Sequence, residues 1–264
     1  MSTGDSSPLR LAVTGAAGRM GREVLDAAVD REDVVVVLAV NRSETEPIAG
    51  VAIDPAAEFA DRLGDADPDA VVDFTGPAST LEYADACAEA DVALVTGTTG
   101  FSEDGLATLR ETASSVPLLK AANFSRGIAA LRRAVREAVT ALPGYDIEVT
   151  ETHHNGKRDA PSGTAHTILE DIEDVRSDLS PADRVHGREG DAPRESAEIG
   201  VHARRAGDII GEHEVLLADN HETVELTHRS GDRGVFAAGA LDAAVWLAGR
   251  DAGWYTFDDV IDES

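Results

Sequence analysis

The sequence predicts an α/β protein, with an N-terminal doubly wound parallel sheet and a second α+β domain that contains a mixed sheet. Two observations support this fold class. Short apolar, β-branched runs alternate with helical patterns up to Asn123, which is typical of βαβ units with right-handed crossovers. Beyond Asn123, polar and apolar residues alternate in runs separated by turn residues, which indicates antiparallel or mixed strand pairing.

Five strands are predicted in the first part of the chain. Each is a short run rich in valine or leucine, and the run at 34–40 is predicted to be buried on both faces, as parallel strands are. The runs cover residues 10–14, 34–40, 71–74, 92–95 and 116–120. Helical patterns follow the first strand at 22–33 and the third at 80–90. A last helical pattern, 236–247, is expected to return to this sheet, so the first domain is predicted as 1–123 completed by 237–264.

The second domain is predicted over residues 124–236. Helical patterns cover 128–141 and 163–175. Strand-like alternation covers residues 146–151, 198–205, 211–219 and 221–229. The segment 177–195 is rich in charge, proline and glycine, and it is predicted to be a mobile loop.

The chain is strongly acidic. Its 264 residues carry a net charge of −27, and Lys120 and Lys157 are the only lysines among 23 basic residues. Because the acidic residues are spread along the whole chain, we interpret the charge as a surface adaptation to high salt, as in a halophile, where self-repulsion is screened. The same balance argues against nucleic acid and anionic membranes as partners, since both require excess cationic surface.

Other features of the sequence favour a cytoplasmic location. Cys87 is the single cysteine, which excludes an internal disulfide or a cysteine-rich metal site. No apolar run approaches the ~18 residues that cross a bilayer. The first eight residues lack the pattern of a secretion signal, so we expect a cytoplasmic location.

A glycine motif, G-x-x-G-x-x-G over residues 15–21, lies between the first strand and the first helix. In a dinucleotide site the first glycine makes the tight turn, the second admits the pyrophosphate, and the third lets the helix pack on the sheet. The residues expected to line the cofactor here are Gly15, Ala16, Ala17, Gly18, Arg19 and Met20. The alternative is a structural turn without a ligand.

The end of the second strand predicts which cofactor is used. An acidic residue there would hold the adenosine ribose and repel a 2′-phosphate, but this chain has Asn41 followed by Arg42. This substitution favours NADPH, with NADH also accepted. The alternative is that Arg42 is only a surface charge.

Two further loops follow strands at the same edge of the sheet. Small residues after the fourth strand, and the segment after the fifth, would lie against the nicotinamide end of the cofactor. The residues assigned to this role are Gly97, Thr98, Thr99, Ala121, Ala122, Asn123 and Phe124. The alternatives are a flexible loop for the first group and an interdomain linker for the second.

The segment 151–165 concentrates the residues that can do chemistry. His153 can supply a proton near neutral pH, Lys157 adds a positive charge, and His154 can bind a carboxylate. The main-chain N–H groups of Gly163 and Thr164 at a helix start can hold another carboxylate. A metal site is disfavoured because adjacent residues of an extended segment point to opposite sides, and histidines buried in a core are the remaining alternative.

These motifs together resemble the dihydrodipicolinate reductase (4-hydroxy-tetrahydrodipicolinate reductase) family. The resemblance rests on GAAGRMG, GTTGF, AANFS and above all HHNGKRDAPSGTA, and it continues through HARRAGDIIGEHEV to GWYTFDDVI. It implies NAD(P)H-dependent reduction of a cyclic dicarboxylate in the diaminopimelate route to lysine, by a homotetramer built through the sheet of the second domain. It further implies that His153 is the proton donor, that Lys157 is the second catalytic cation, and that His154, Gly163 and Thr164 bind substrate.

Two positions depart from the family pattern. Many members have an acidic residue where Asn41 stands, and residues 126–129 replace an aliphatic segment that ends in asparagine. Two other functions compete with the reductase. An amino-acid dehydrogenase on the same scaffold would leave Lys157 and the Ser-Gly-Thr turn unexplained. A catalytically silent NAD(P) sensor would have no reason to keep His153, His154 and Lys157 together.

Overall fold

A computed structural model describes residues 7–195 and 197–263. The strands are β1 (Leu9–Thr14), β2 (Val34–Asn41), β3 (Asp54–Pro55), β4 (Ala70–Asp73), β5 (Ala93–Thr96), β6 (Pro117–Lys120), β7 (Asp146–His153), β8 (Arg184–His186), β9 (Ile199–Arg205), β10 (Gly211–Asp219), β11 (Glu222–Ser230) and β12 (Gly253–Tyr255). The α-helices are α1 (Arg19–Val29), α2 (Phe59–Ala66), α3 (Pro77–Ala90), α4 (Glu103–Thr112), α5 (Arg126–Ala141), α6 (Gly163–Val175), α7 (Gly234–Leu247) and α8 (Phe257–Asp262).

The chain divides into two compact units. The first unit holds the residues up to Phe124 and those from Arg233 onward, and the second unit is Ser125–Asp232. The sequence placed these boundaries after residues 123 and 236. None of the helices in the described part of the chain is long and apolar enough to span a bilayer.

The first unit is built on a parallel sheet of seven strands in the order β12-β6-β5-β4-β1-β2-β3. Strand residues alternate between two apolar layers: Leu11 and Val13 pack with α1, α7 and α8, and Ala12 packs with α2, α3 and α4. Helices on both faces of a parallel sheet confirm the predicted doubly wound fold.

The second unit is built on a mixed sheet of five strands in the order β11-β10-β7-β9-β8. Strand β10 pairs antiparallel with β11 and β7, whereas β7 pairs parallel with β9, and β9 with β8. Helices α5 and α6 bury one face of this sheet against Ile147, Val149, Val201 and Val215. The predicted mixed sheet is therefore confirmed.

Several elements were not predicted. The edge strands β3 and β12 are two and three residues long, and α2, α4 and α8 are short and polar. The prediction of a loop over 177–195 is wrong for residues 184–186, which form β8 and pair with β9. Arg184 of this strand is held by Glu173 of α6, with N···O distances of 2.6 and 2.7 Å.

Candidate active site

The glycine loop between β1 and α1 has the geometry of a phosphate-binding turn. Gly15 has φ of +63°, a left-handed conformation that favours glycine. A Cβ on Gly21 would lie 2.2 Å from the carbonyl oxygen of Gly15, so α1 can approach β1 this closely only with glycine there. Helix α1 starts after Gly18 without a side-chain cap, which leaves its N-terminus suited to an anion. The residues of this loop therefore fit a dinucleotide.

Asn41 ties the end of β2 to this loop. Its Oδ1 accepts a hydrogen bond from the main-chain N–H of Ala17 at 3.4 Å, and its Nδ2 donates to the carbonyl of Ser43 at 2.9 Å. The side chain of Arg42 is exposed beside it. The amide of Asn41 therefore shapes the loop, and Arg42 is the side chain accessible to an anion.

Asp73, at the end of β4, is a fully buried carboxylate that sequence reasoning missed. Hydroxyl groups of five threonines lie within 3.0 Å of its two oxygens, and the main-chain N–H of Thr75 donates to it at 3.2 Å. The five are Thr14, Thr75, Thr80, Thr96 and Thr98. These donors come from the carboxyl ends of β1, β4 and β5 and from the start of α3, so Asp73 joins the loops of that edge.

The Asp73 network determines which side chains of residues 97–99 are buried and which are exposed. The hydroxyl of Thr98 is turned inward to Asp73, at 3.0 Å, and its side chain is buried. A Cβ on Gly97 would lie 2.0 Å from the ring of Phe74, so glycine is required there. Thr99 is exposed. Of these three residues, Thr99 is the one with an exposed side chain, and the main-chain N–H groups of Gly97 and Thr98 are bonded to the carbonyl of Asp73 and the hydroxyl of Thr96.

The segment after β6 also combines exposed and buried side chains. Ala122 is exposed and Asn123 is half-buried, whereas the ring of Phe124 is buried and makes edge contacts with Phe74 and Phe257, at centroid distances of 5.6 and 5.4 Å. The side chain of Ala16 in the glycine loop is also fully buried. The side chains of Ala16 and Phe124 are thus part of the core and support the loops from within.

In the second unit, one face of β7 changes from apolar to ionisable. Ile147 and Val149 pack under α5 and α6, and the next two residues on the same face are Glu151 and His153. The strand register places His213 of β10 opposite Glu151 and Arg205 of β9 opposite His153. The end of the sheet therefore collects two imidazoles, a carboxylate and a guanidinium.

Glu151 is the centre of this group, and sequence reasoning gave it no role. Its side chain is 1% exposed and accepts a hydrogen bond from Nδ1 of His153 at 2.6 Å and two from Arg205, each at 2.8 Å. Burial raises the pKa of Glu151, but the hydrogen bonds from His153 and Arg205 outweigh it and lower that pKa to about 2. Glu151 is therefore ionised. An acidic residue in register with Ile147 and Val149 was the available signal.

The start of α6 is hydrogen-bonded to the carboxylate of Glu151. The main-chain N–H of Ser162 donates to Glu151 at 3.0 Å, and the Ser162 hydroxyl caps α6 by accepting from the N–H of Ala165 at 3.1 Å. Burial lowers the pKa of His213 to about 3, and its Nε2 lies 3.1 Å from the Ser162 hydroxyl. A neutral His213 and an ionised Glu151 thus hold the helix start that carries Gly163 and Thr164.

Lys157 lies in the loop between β7 and α6. Its ammonium pairs with Asp159 at 2.9 Å, and its side chain is 21% exposed. His154 follows β7 directly and is half-buried, and its carbonyl accepts from the N–H of Lys157 at 3.1 Å. The described residues include no cluster of three or more His, Cys, Asp or Glu placed to hold a metal ion.

Comparisons with known proteins cover nearly the whole chain. Two family models match, described as "Dihydrodipicolinate reductase, N-terminus" over residues 9–124 and "Dihydrodipicolinate reductase, C-terminus" over residues 127–261. A 4-hydroxy-tetrahydrodipicolinate reductase from Haloarcula marismortui is 55% identical over 96% of this chain and 99% of its own length. One from Natronomonas pharaonis is 53% identical over 96% of this chain and its entire length.

A solved structure agrees with the fold. Dipicolinate-bound dihydrodipicolinate reductase from Paenisporosarcina sp. TG-14 superimposes with a TM-score of 0.78, at 22% identity, over 94% of this chain and 97% of that one. At this identity the likeness supports the fold alone.

Substitution of the buried carboxylate of the first unit tests its structural role. We expect Asp73→Asn to lower the free energy of unfolding by about 2 kcal/mol, because an amide brings donors of its own to a group of donors. Chemical denaturation measures the change. The control is Asp85→Asn on the exposed side of α3, expected to stay within about 0.5 kcal/mol. Equal stability of the two variants would refute the network.

Proposed function

Because the chain belongs to the dihydrodipicolinate reductase family, we propose that it reduces 4-hydroxy-tetrahydrodipicolinate to tetrahydrodipicolinate with NADPH or NADH, in the diaminopimelate route to lysine. Relatives of 55% and 53% identity over nearly their full lengths support this activity. The observation that carries the proposal is that one buried carboxylate, Glu151, is hydrogen-bonded both to the His153 imidazole and to the main chain of Ser162, the residue before Gly163.

The substrate carries two carboxylates, and the second unit has groups suited to both. The main-chain N–H groups of Gly163 and Thr164 open α6, where the helix dipole also favours an anion. A Cβ on Gly163 would meet no other atom within 4 Å, so there is room for a ligand. The ammonium of Lys157 has three donors, and its pair with Asp159 uses one of them. His154 is assigned to the second carboxylate.

His153 is assigned the proton transfer. Its Nδ1 is engaged by Glu151, so Nε2 is the nitrogen that can give a proton to the substrate. After loss of water from the substrate gives a conjugated imine, hydride addition at C4 leaves an electron pair delocalised over the neighbouring ring carbon and the nitrogen, and a proton added to that carbon completes the reduction. His153 delivers that proton, and Lys157 stabilises the negative charge of the substrate carboxylates on the ring.

The first unit is assigned the cofactor, which when bound supplies the hydride. The glycine loop from Gly15 to Met20 would hold its pyrophosphate, and Arg42 would hold a 2′-phosphate. The loops at Gly97–Thr99 and Ala121–Phe124 would position its nicotinamide end, with the side chain of Thr98 held by Asp73 through its hydroxyl.

We also propose that the protein is a homotetramer assembled through the sheet of the second unit. Residues of β10 alternate between buried and partly exposed, and α5 and α6 cover only one face of this sheet. The partly exposed face includes Glu148, Thr150 and Leu216, which supports its use as an interface.

Turnover is the direct test of the activity. With substrate generated by the synthase reaction that precedes this step, in molar KCl, the protein should oxidise NADPH, and NADH more slowly. High salt is chosen because it screens the net charge of −27, with a Debye length of about 3 Å at 1 M. Absence of oxidation with either cofactor would refute the proposed function.

Alanine variants test the catalytic assignments. We expect His153→Ala and Lys157→Ala each to lower kcat about 100-fold or more, since each removes a group acting on the reacting ring. Steady-state kinetics at saturating cofactor measure the loss. The matched control is His166→Ala, an exposed histidine of α6, which should keep wild-type kcat. Near-normal turnover in both variants would contradict the catalytic roles of His153 and Lys157.

Arg42 tests the preference for NADPH. We expect Arg42→Ala to raise the KM for NADPH about tenfold, the effect of one lost charge-assisted hydrogen bond, and to leave the KM for NADH within about twofold. The control is Arg19→Ala, an exposed arginine at the start of α1, which should change both KM values alike. If Arg42→Ala changed the KM for NADPH and the KM for NADH equally, Arg42 would not be a residue that binds the 2′-phosphate.

A further inference from the structure

We propose that Glu151 is a positioning residue that fixes the tautomer and orientation of the His153 ring and links that ring to the start of α6. This inference rests on the proposed function, because it concerns the residue assigned there as proton donor. Glu151 acts through its neighbours and is not itself assigned a contact with substrate.

The contacts of Glu151 use both carboxylate oxygens. Oε2 accepts from Nδ1 of His153 and from Nη1 of Arg205, and Oε1 accepts from Nη2 of Arg205 and from the N–H of Ser162. The side chain is 1% exposed, so solvent is excluded as a competing partner. Four protein donors on one buried carboxylate leave it no other orientation that satisfies them all.

This arrangement determines which ring nitrogen of His153 carries a proton in both charge states. An ionised carboxylate can only accept, so Nδ1 of His153 must be the donor at the 2.6 Å contact. Nε2 is then protonated in the imidazolium and bare in the neutral ring. The proton that can be transferred is therefore always on Nε2.

Gly211 shows that the space at this nitrogen is restricted. A Cβ on Gly211 would lie 3.2 Å from Nε2 of His153, so a side chain there would crowd the transferring atom. The ring also makes an edge contact with His213, at a centroid distance of 5.3 Å. Neighbouring strands thus constrain the ring from the side while Glu151 holds it at Nδ1.

The charged and titratable groups around His153 lie on three strands and one loop. Glu151 lies on its own strand β7, Arg205 on β9 and the neutral His213 on β10, while Lys157 and Asp159 lie in the loop before α6. Glu151 stabilises the imidazolium and Arg205 opposes it. Removal of either charge should therefore change the alkaline limb of the pH profile, where the proton donor is lost, in opposite directions.

The test compares the pH profiles of kcat for the wild type, Glu151→Gln and Arg205→Gln, measured on the intact protein in molar KCl. We expect Glu151→Gln to lower kcat about tenfold or more and to move the alkaline limb about one pH unit lower. We expect Arg205→Gln to move this limb higher. The control, Glu173→Gln, removes another carboxylate bonded twice by an arginine in the same unit, and it should leave kcat and the profile unchanged.

Opposite movements cannot come from general loss of structure, and Arg205→Gln keeps the proposal testable if Glu151→Gln does not fold. Unchanged limbs in a folded variant, or movements in the same direction, would overturn the role of Glu151. A wild type without turnover would instead overturn the proposed function, and with it this inference. A wild type that turns over, with a normal Glu151→Gln variant, would overturn this inference alone.

Discussion

A buried, ionised carboxylate is the constraint on which the chemistry of the second unit depends. Removing a charge from water costs several kcal/mol, and the cost is offset only where opposite charge and hydrogen-bond donors surround it. Glu151 meets this requirement with Arg205, His153 and the main chain at Ser162. Since those partners come from β7, β9 and the start of α6, satisfying one carboxylate also sets the relative positions of three elements.

The first unit surrounds its buried acidic side chain with neutral groups. Asp73 is as deeply buried as Glu151, but threonine hydroxyls rather than a guanidinium surround it in the described contacts. Four of the five threonines lie at or just after strand ends, and Thr80 lies in the first turn of α3, at the edge of the sheet assigned to the cofactor. In both units a carboxylate at the end of a strand organises the loops that follow, and the residues assigned to ligands lie on those loops.

Much of this architecture can be predicted from local sequence. Strands β4 and β5 are buried on both faces and appear as continuous apolar runs. The run at 34–40 was also predicted to be buried on both faces, and that prediction is wrong, because β2 exposes Val35. Helix α6 was predicted with its observed bounds because Ser162 marks its start. The short elements could not be predicted in this way. Strand β8 depends on pairing with β9 and on the ion pair of Arg184 with Glu173, partners that lie 11 or more residues away along the chain.

The buried residues that support the candidate sites were harder to predict than the residues assigned to catalysis and binding. His153, Lys157 and the Ser-Gly-Thr turn are recognisable by residue type and spacing. The role of Asp73 requires knowing that β1, β4 and β5 are neighbours, because its partners lie up to 59 positions from it in sequence. The side chains of Ala16 and Phe124 belong to the core for the same reason: tertiary packing, rather than the motif, decides which way each points.

Neutron diffraction from a perdeuterated crystal would test the central claim most directly, since it locates the hydrogen positions that X-ray structures at ordinary resolution leave to inference. The account predicts deuterium on Nδ1 of His153, directed at Oε2 of Glu151, and none on either carboxylate oxygen. A bare Nδ1 facing a protonated Glu151 would contradict it.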